Sequence, residues 1–206
     1  METDLLINAD FASAASLTPN QYQWVNSPQA GVERVMLDRV GDEVARATSI
    51  VRYAPASSFP RHLHSGGEEI LVLSGTFSDE NGHYPAGWYL RNPPGSSHQP
   101  FSSDGATLFV KLGQMNSSDT SHVRIDTRPV SSWQLTDNGE VCHLFRSDHE
   151  QVSLERLPPG RHLTQDGLNG IEILVLDGVA QMNDQAFPRG SWLRLPAGPS
   201  MTVYAG

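Results

Sequence analysis

Apolar and polar residues alternate in short runs along most of the chain, and turn residues bound these runs. Four of the runs have strand length and are rich in β-branched or aromatic residues: residues 32–37, 48–53, 69–73 and 107–112. An alternation with period two is typical of strands that bury one face. No window carries a long apolar period of 3.6 residues, so the pattern predicts an all-β protein.

Part of this pattern occurs twice. Residues 69–75 resemble residues 172–178, and residues 87–95 resemble residues 190–198, in both cases at an offset of 103 residues. Two matches at one offset predict that the same β unit is repeated in the two halves of the chain. Closed barrels or double-sheet jelly rolls of about this size would protect the edges of such sheets.

The predicted organisation has four parts. Residues 1–20 form an N-terminal arm, and residues 21–112 form a first β domain. Residues 113–124 are the most polar stretch, so we place the linker between the two domains there. Residues 125–206 then form the second β domain.

Candidate metal ligands occur in the first domain. His62 and His64 are two residues apart, so on an extended chain both imidazoles point to the same side. Glu68 follows four residues after His64, and His98 comes after a later turn. Three imidazoles and one carboxylate could bind a first-row divalent ion. Either Glu68 or Glu69 could supply the carboxylate, but alternation along the strand favours Glu68 and leaves Glu69 as a structural or surface residue.

The second domain lacks this set. At the offset of 103 residues, the positions of the glutamate and of the third histidine hold Ile171 and Met201. For the histidine pair, one local alignment gives His162 and Thr164, and another gives residues 165–167. Either alignment predicts a metal site in the first half and a packing domain in the second.

The spacing of these residues resembles the two motifs of the cupin superfamily. The first motif, His-X-His-X3-Glu-X6-Gly, and the second, Gly-X5-Pro-X-Gly-X2-His, are matched in turn by His62, His64, Glu68 and Gly75, and by Gly87, Pro93, Gly95 and His98. The wider segment 24–112 resembles the cupin domain of ChrR-type anti-sigma factors. The residues that carry this resemblance lie in segments 53–55, 59–64, 66–69, 71–77, 79–80, 84–87 and 94–98, together with Arg91.

This resemblance implies a fold, a ligand set and a role. It implies tandem cupin barrels of the jelly-roll, or double-stranded β-helix, type, and zinc held by His62, His64, Glu68 and His98. Cupins of this family take part in the response to singlet oxygen or organic peroxide. The family's separate N-terminal domain, which holds the sigma factor, does not fit into the first twenty residues, so we expect a stand-alone bicupin.

Composition and charge exclude several classes. The net charge of −9 argues against sequence-independent binding to nucleic acid or to an anionic membrane. A single cysteine, Cys142, can form neither an internal disulfide nor a cysteine-rich zinc site. The first residues do not resemble a signal peptide, and no stretch has the length of a membrane span, so the expected location is the cytoplasm.

Two functions remain open from the sequence. The favoured one is a regulatory or sensing bicupin that holds one divalent ion per chain, with zinc favoured over iron, manganese or nickel. The alternative is a metal-dependent cupin enzyme, such as a dioxygenase that acts on a small organic molecule. The expected partners are a small-molecule ligand in the N-terminal barrel, a regulatory protein and, by analogy with other cupins, a second copy of the chain in a homodimer.

Overall fold

The computed structural model describes residues 5–42, 44–164, 170–198 and 202–206. The described chain is nearly all strand, as the alternating pattern predicted, with two single turns of 3-10 helix at Pro19–Gln21 and Val130–Ser132. Thirteen strands precede residue 113: β1 (Leu6–Ile7), β2 (Ala15–Leu17), β3 (Val25–Asn26), β4 (Val32–Val40), β5 (Arg46–Tyr53), β6 (Ser57–Ser58), β7 (His62–His64), β8 (Glu68–Asp79), β9 (Gly82–Pro85), β10 (Trp88–Asn92), β11 (Ser96–His98), β12 (Phe101–Ser102) and β13 (Ala106–Leu112).

Ten more strands follow in the second half. They are β14 (Val123–Asp126), β15 (Gln134–Thr136), β16 (Gly139–Arg146), β17 (Gln151–Arg156), β18 (His162–Thr164), β19 (Ile171–Leu174), β20 (Val179–Met182), β21 (Gln185–Pro188), β22 (Trp192–Leu195) and β23 (Thr202–Ala205). Among the described residues, no helix combines the length and the apolar character that crossing a membrane would require.

The large sheet of the first half is antiparallel. Its strands follow the order β1-β4-β5-β13-β8-β10-β14, and the short strands β3, β6, β9 and β12 pair at its sides. β7 and β11 form a separate two-stranded sheet. The alternating residues of the central strands build the core beneath this sheet, and its most buried members include Ile70, Val72, Leu90, Leu108 and Val110.

Gly75 lies opposite Ala106 in the β8–β13 ladder, one pair before the register changes between Thr107 and Leu108. Its φ is +70°, a conformation that favours glycine. A Cβ built at this position would lie 2.0 Å from the carbonyl oxygen of Gly105. The glycine that closes the first sequence motif is therefore required by backbone conformation and by the approach of a neighbouring chain segment.

The second half contains smaller antiparallel sheets. Their orders are β15-β16-β17, β18-β23-β20-β21 and β19-β22-β2. A small core of Val175, Phe187 and Leu193 lies among these strands. The side chain of Trp192 is fully buried as well.

The predicted repeat is visible in the hydrogen bonds. Gly87 N donates to Val72 O at 2.8 Å, and Gly190 N donates to Val175 O at 2.7 Å. The donor and the acceptor of the second bond each lie 103 residues after those of the first. Strands β9 and β21 also correspond residue by residue at this offset. The two halves thus repeat the same local β arrangement, while a second closed barrel stays a prediction.

The chain divides into two compact units. The first contains Met1–Ile7, Gln23–Trp133 and His143–Ser153, and the second contains Asn8–Tyr22, Gln134–Cys142 and Leu154–Gly206. These limits differ from the boundaries that the sequence predicted at residues 20, 112 and 124. The physical reason is strand pairing.

Two segments account for the difference. β2, within the predicted arm, pairs with β22 of the second unit. β14 begins within the predicted linker and pairs with β10 of the first unit. Gln114, also in the predicted linker, donates to Ala47 O at 2.9 Å and to Thr48 Oγ1 at 3.0 Å.

Candidate metal centre

Two short strands and the start of a long one place the candidate ligands. β7 carries His62 and His64, and β11 pairs with it antiparallel so that His98 lies opposite His62. Glu68 is the first residue of β8, four residues after His64. The alternation of an extended strand brings both β7 imidazoles to the same side, as the spacing predicted.

The structure brings all four predicted residues together. One potential ligand atom from each of His62, His64, Glu68 and His98 lies within 4.8 Å of the others. The three imidazole centroids are 4.7 to 5.1 Å apart. His64, Glu68 and His98 are buried, whereas His62 is partly exposed.

The donor atoms inside this cluster fit a cation. The Nε2 atoms of His64 and His98 each lie 3.4 Å from the same carboxylate oxygen, Glu68 Oε2. Both Nε2 atoms are buried and have no hydrogen-bond partner among the described residues. A buried polar atom without a partner carries a desolvation penalty of about 1–3 kcal/mol. A divalent ion coordinated by these atoms would remove that penalty, and imidazole with carboxylate suits zinc and other first-row ions.

Neighbouring polar groups hold three of the four candidate ligands. His62 Nδ1 lies 2.9 Å from Pro60 O, and His98 Nδ1 lies 3.4 Å from Asp79 Oδ2. When these Nδ1 atoms carry the proton, each Nε2 is left free to bind an ion. Glu68 Oε2 accepts a hydrogen bond of 2.9 Å from Asn92 Nδ2. The neighbours thus orient three of the four side chains.

The electrostatic surroundings differ between two of the imidazoles. Burial lowers the pKa of His64 below its ordinary value of 6.5, and the carboxylate of Glu68 offsets this only in part. Burial also opposes the charge of His98, but the hydrogen bond with Asp79 and the carboxylates of Glu68 and Glu80 outweigh it and raise the pKa of His98 above 6.5.

Glu69 faces away from the imidazoles. It is buried, and its Oε1 accepts hydrogen bonds from Tyr89 Oη and, at 2.6 Å, from Arg91 Nη1. The alternation along β8 therefore separates the two adjacent glutamates as predicted. Of the two roles expected for Glu69, the structural one is observed and the surface one is wrong.

Arg91 gathers groups that are distant in sequence. Besides Glu69, its Nη2 donates to Asp119 Oδ2 at 2.7 Å and to Glu150 Oε2 at 2.8 Å, and its guanidinium lies 3.7 Å from the ring centroid of Phe145. Its side chain is almost fully buried. Three carboxylates and an aromatic ring thereby compensate the cost of burying this cation.

Sequence reasoning missed the residues that orient the ligands. Asn92 lies opposite Glu68 in the β8–β10 ladder, and it shares the inward face of β10 with Leu90. Alternation within the second motif could have identified it. Asp79 lies nineteen residues from His98 along the chain, and no spacing rule links the two.

The second half has different side chains at the corresponding positions. In the β18–β23 ladder, His162 lies opposite Tyr204, with ring centroids 5.6 Å apart. In the β19–β22 ladder, Ile171 lies opposite Leu195. No second cluster of potential metal ligands occurs among the residues that the structure describes. Two predicted counterparts fall outside those residues: Met201 and residues 165–167.

Comparison with known proteins identifies a family for this chain. A family model, the ChrR cupin-like domain, matches residues 12–116, which is about half of the chain and includes all four candidate ligands. The chain belongs to the ChrR cupin-like domain family. No curated protein matches the sequence of this ChrR cupin-like chain.

Solved structures show that the ChrR cupin-like chain has a cupin fold. A candidate dioxygenase from Nostoc punctiforme is similar with a TM-score of 0.75 and 14% identity, over 94% of this chain and 79% of that one. The nickel(II) complex of the bacterial pirin YhhW from Escherichia coli gives a TM-score of 0.60 and 13% identity, over 94% of each chain. A cupin 2 conserved barrel domain protein from Leptotrichia buccalis gives 0.59 and 16%, over 88% and 86%.

Proposed function

We propose that the first unit binds one divalent metal ion through His62, His64, Glu68 and His98. The single observation that carries this proposal is the pair of buried Nε2 atoms of His64 and His98. They have no hydrogen-bond partner in the part of the chain that the structure describes, and both lie 3.4 Å from the same Glu68 oxygen. The alternative for these residues is an imidazolium–carboxylate pair, which the raised pKa of His98 favours at that one imidazole. Burial lowers the pKa of His64 and disfavours a second imidazolium, so this pair alone does not account for the buried Nε2 atom of His64.

The role that fits this site best is that of a zinc-bound regulatory or sensing cupin. Four protein ligands can fill a tetrahedral zinc site, and closed sites of this kind are structural rather than catalytic. The family resemblance adds a specific role, a response to singlet oxygen or organic peroxide in the cytoplasm. When bound, the ion would supply a fixed positive charge that holds the three imidazoles and the carboxylate together.

Elemental analysis of the full chain, purified from cells without added metal, tests the identity of the ion. We expect about one zinc per chain, as in structural zinc sites. Exposure to singlet oxygen or to an organic peroxide should then release zinc or alter capture of a regulatory protein partner. Unchanged zinc content and unchanged capture after both treatments would contradict the stress-response role.

One observation favours a metal-dependent enzyme as a second candidate. His62 is the least buried of the four ligands, so a small molecule could approach the cluster from this side. A dioxygenase that acts on a small organic molecule would need a redox-active ion with an open position. Iron in the purified protein, together with oxygen uptake on addition of substrate candidates, would favour the enzyme and overturn the sensing role.

The proposal has three further parts. The chain forms a homodimer, the first unit binds a small-molecule ligand, and the protein does not bind nucleic acid directly. Sedimentation of the full chain tests the dimer, and a monomer at micromolar concentration would contradict it. Calorimetric titration with small carboxylates and ketones tests the ligand site. Retention of duplex DNA by the protein at physiological salt would contradict the expectation drawn from the acidic net charge.

A further inference from the structure

We propose that Arg124 is a positioning residue for the metal centre, a role that rests on the metal site proposed above. Arg124 belongs to β14, eight residues beyond the last residue matched by the family model. In the β10–β14 ladder it lies opposite Leu90, whose side chain is buried in the core. Its guanidinium therefore reaches the same side of the sheet as Glu68 and Asn92.

The shorter route from Arg124 to the ligands runs through one amide. Arg124 Nη2 donates to Asn92 Oδ1 at 2.6 Å, and Asn92 Nδ2 donates to Glu68 Oε2 at 2.9 Å. A guanidinium can only donate hydrogen bonds, so the oxygen of the amide must face Arg124 and its NH2 group must face Glu68.

Without Arg124 the oxygen of the Asn92 amide loses the partner that anchors it. The Glu68 carboxylate still favours the NH2 group, but the Asn92 side chain is then held from one side only and can shift away from the carboxylate. The hydrogen bond that fixes the direction of the carboxylate is thereby weakened. Partners of this kind, which hold a metal ligand without touching the ion, typically contribute 10–100-fold to metal affinity.

A second and longer route leads to His98. Arg124 Nε lies 3.4 Å from Tyr84 Oη, which in turn lies 3.4 Å from Asp79 Oδ1. The other oxygen of Asp79 lies 3.4 Å from His98 Nδ1. Arg124 thus contacts the partner of Glu68 directly and reaches the partner of His98 through Tyr84. The shorter distances assign the larger effect to the Asn92 route.

Two backbone contacts hold the guanidinium in this place. Arg124 Nη1 donates to Arg91 O at 3.0 Å and to Val123 O at 2.7 Å. The side chain is therefore fixed by its own strand, β14, and by the neighbouring strand β10. Lysine cannot reproduce this set of directed hydrogen bonds, since its ammonium lacks the planar fork.

The test compares zinc affinity of the full chain, by competition with a chromophoric chelator, for wild type, Arg124→Gln, Asn92→Ala and the double variant. We expect Arg124→Gln to weaken zinc binding about 10–100-fold. In the Asn92→Ala background the same change should cost no more than about threefold, because variants along one route are not additive. Arg128→Gln is the matched control: Arg128 is exposed, pairs with Asp126 and should bind zinc within about twofold of wild type.

The visible spectrum of the cobalt(II)-loaded protein provides a readout that a loss of stability alone would not change. At saturating cobalt, Arg124→Gln should alter the d–d bands, and Arg128→Gln should not. Arg124→Lys should restore zinc affinity only in part. If Arg124→Gln fails to fold, Arg124→Lys and Asn92→Ala carry the test with the same expected spectral changes.

Two outcomes would overturn this assignment in distinguishable ways. Wild-type zinc affinity and an unchanged cobalt spectrum in Arg124→Gln, or in Arg124→Lys if that variant is used, would remove the positioning role and leave the metal site intact. A wild-type protein that binds neither zinc nor cobalt would overturn the metal site and this role together. Fully additive losses in the double variant would contradict the route through Asn92.

Discussion

The two halves of the chain place different chemistry on the same strand ladder. In the first half, Glu68 lies opposite Asn92, and in the second half the positions 103 residues later are Ile171 and Leu195, again opposite each other. A hydrogen-bonded polar pair beside three imidazoles is thus matched by two aliphatic side chains. The backbone pairing does not depend on the metal-binding face of the strand.

The opposite face of these strands is similar in the two halves. Glu69 accepts a hydrogen bond from Tyr89 Oη, and Glu172 accepts one of 2.6 Å from Trp192 Nε1, in both cases from the residue twenty positions later. The two halves therefore share a structural glutamate–aromatic contact. They differ on the inward face, where, among the residues that the structure describes, the cluster of potential metal ligands lies in the first half.

Removal of an imidazole should give the largest difference between the two halves, measured as zinc content. We expect His98→Ala to reduce zinc content from about one ion per chain to near zero, since the ligand set then falls below four. His162→Ala in the second half should leave zinc content unchanged. Elemental analysis of both variants checks this, and a comparable loss in His162→Ala would contradict the proposed difference between the halves.

Exchange of a carboxylate for an amide should have different effects on the two faces of β8. Glu68→Gln should strongly reduce zinc content because an ionised ligand is lost. Glu69→Gln should retain zinc but lower the free energy of unfolding by about 1–3 kcal/mol, since a buried bond to Arg91 is weakened. Elemental analysis and urea unfolding measure the two effects. Equal zinc loss in both variants would show that the ligand assignment is wrong.

Acidification should release the ion from the first half. Protons compete with the metal for imidazole nitrogen, so affinity should fall as the pH falls. Burial alone would lower the pKa of His98. Asp79 and nearby carboxylates stabilise the protonated imidazole more strongly, so the pKa of His98 lies above 6.5. Competition at His98 should therefore begin above pH 6.5, and chelator competition between about pH 8 and about pH 5 would measure it.

Asp79→Asn is the matched variant for this titration. Its neutral amide no longer favours the protonated imidazole, so the onset of proton competition should move to lower pH. An onset that stays at the wild-type pH in Asp79→Asn would contradict the role assigned to this carboxylate.

Two equivalent glycines should differ only in the free energy of unfolding. Gly75 and Gly178 have similar backbone angles, with φ of +70° and +68°. A Cβ at Gly75 would lie 2.0 Å from Gly105 O, whereas no described residue has an atom within 4 Å of a Cβ at Gly178. Gly178→Ala should cost about 1 kcal/mol of unfolding free energy for its backbone conformation alone, and Gly75→Ala about 2–4 kcal/mol. Equal costs in urea unfolding would contradict the steric argument.

Much of the fold and of the ligand cluster could be predicted from local sequence patterns. Alternation gave the strands and the inward face of Glu68, and the spacing of the motifs gave the residues that the structure brings together. The partners of Arg91 could not be predicted in this way. Asp119 and Glu150 come from segments 28 and 59 residues away, and only the folded chain brings them to one guanidinium.

The strand pairing of the terminal and connecting segments could not be predicted from the sequence either. β1 and β2 have only two and three residues, and they pair with β4 and β22, which lie far apart in sequence. Such short strands carry too few residues for a periodic pattern. Their positions depend on which sheet edges the rest of the chain leaves available.

The conformation of Gly75 has a consequence for how the first half folds. β8 begins with two glutamates followed by four aliphatic residues, so its sequence is nearly unchanged by a shift of one position. Such a shift would place Glu69 among the imidazoles and still bury aliphatic side chains, and hydrophobic patterning alone would not oppose it. A residue with a Cβ cannot occupy the tight position beside Gly105. This one glycine therefore fixes the register of β8, excludes the shifted pairing and places Glu68 beside the histidines.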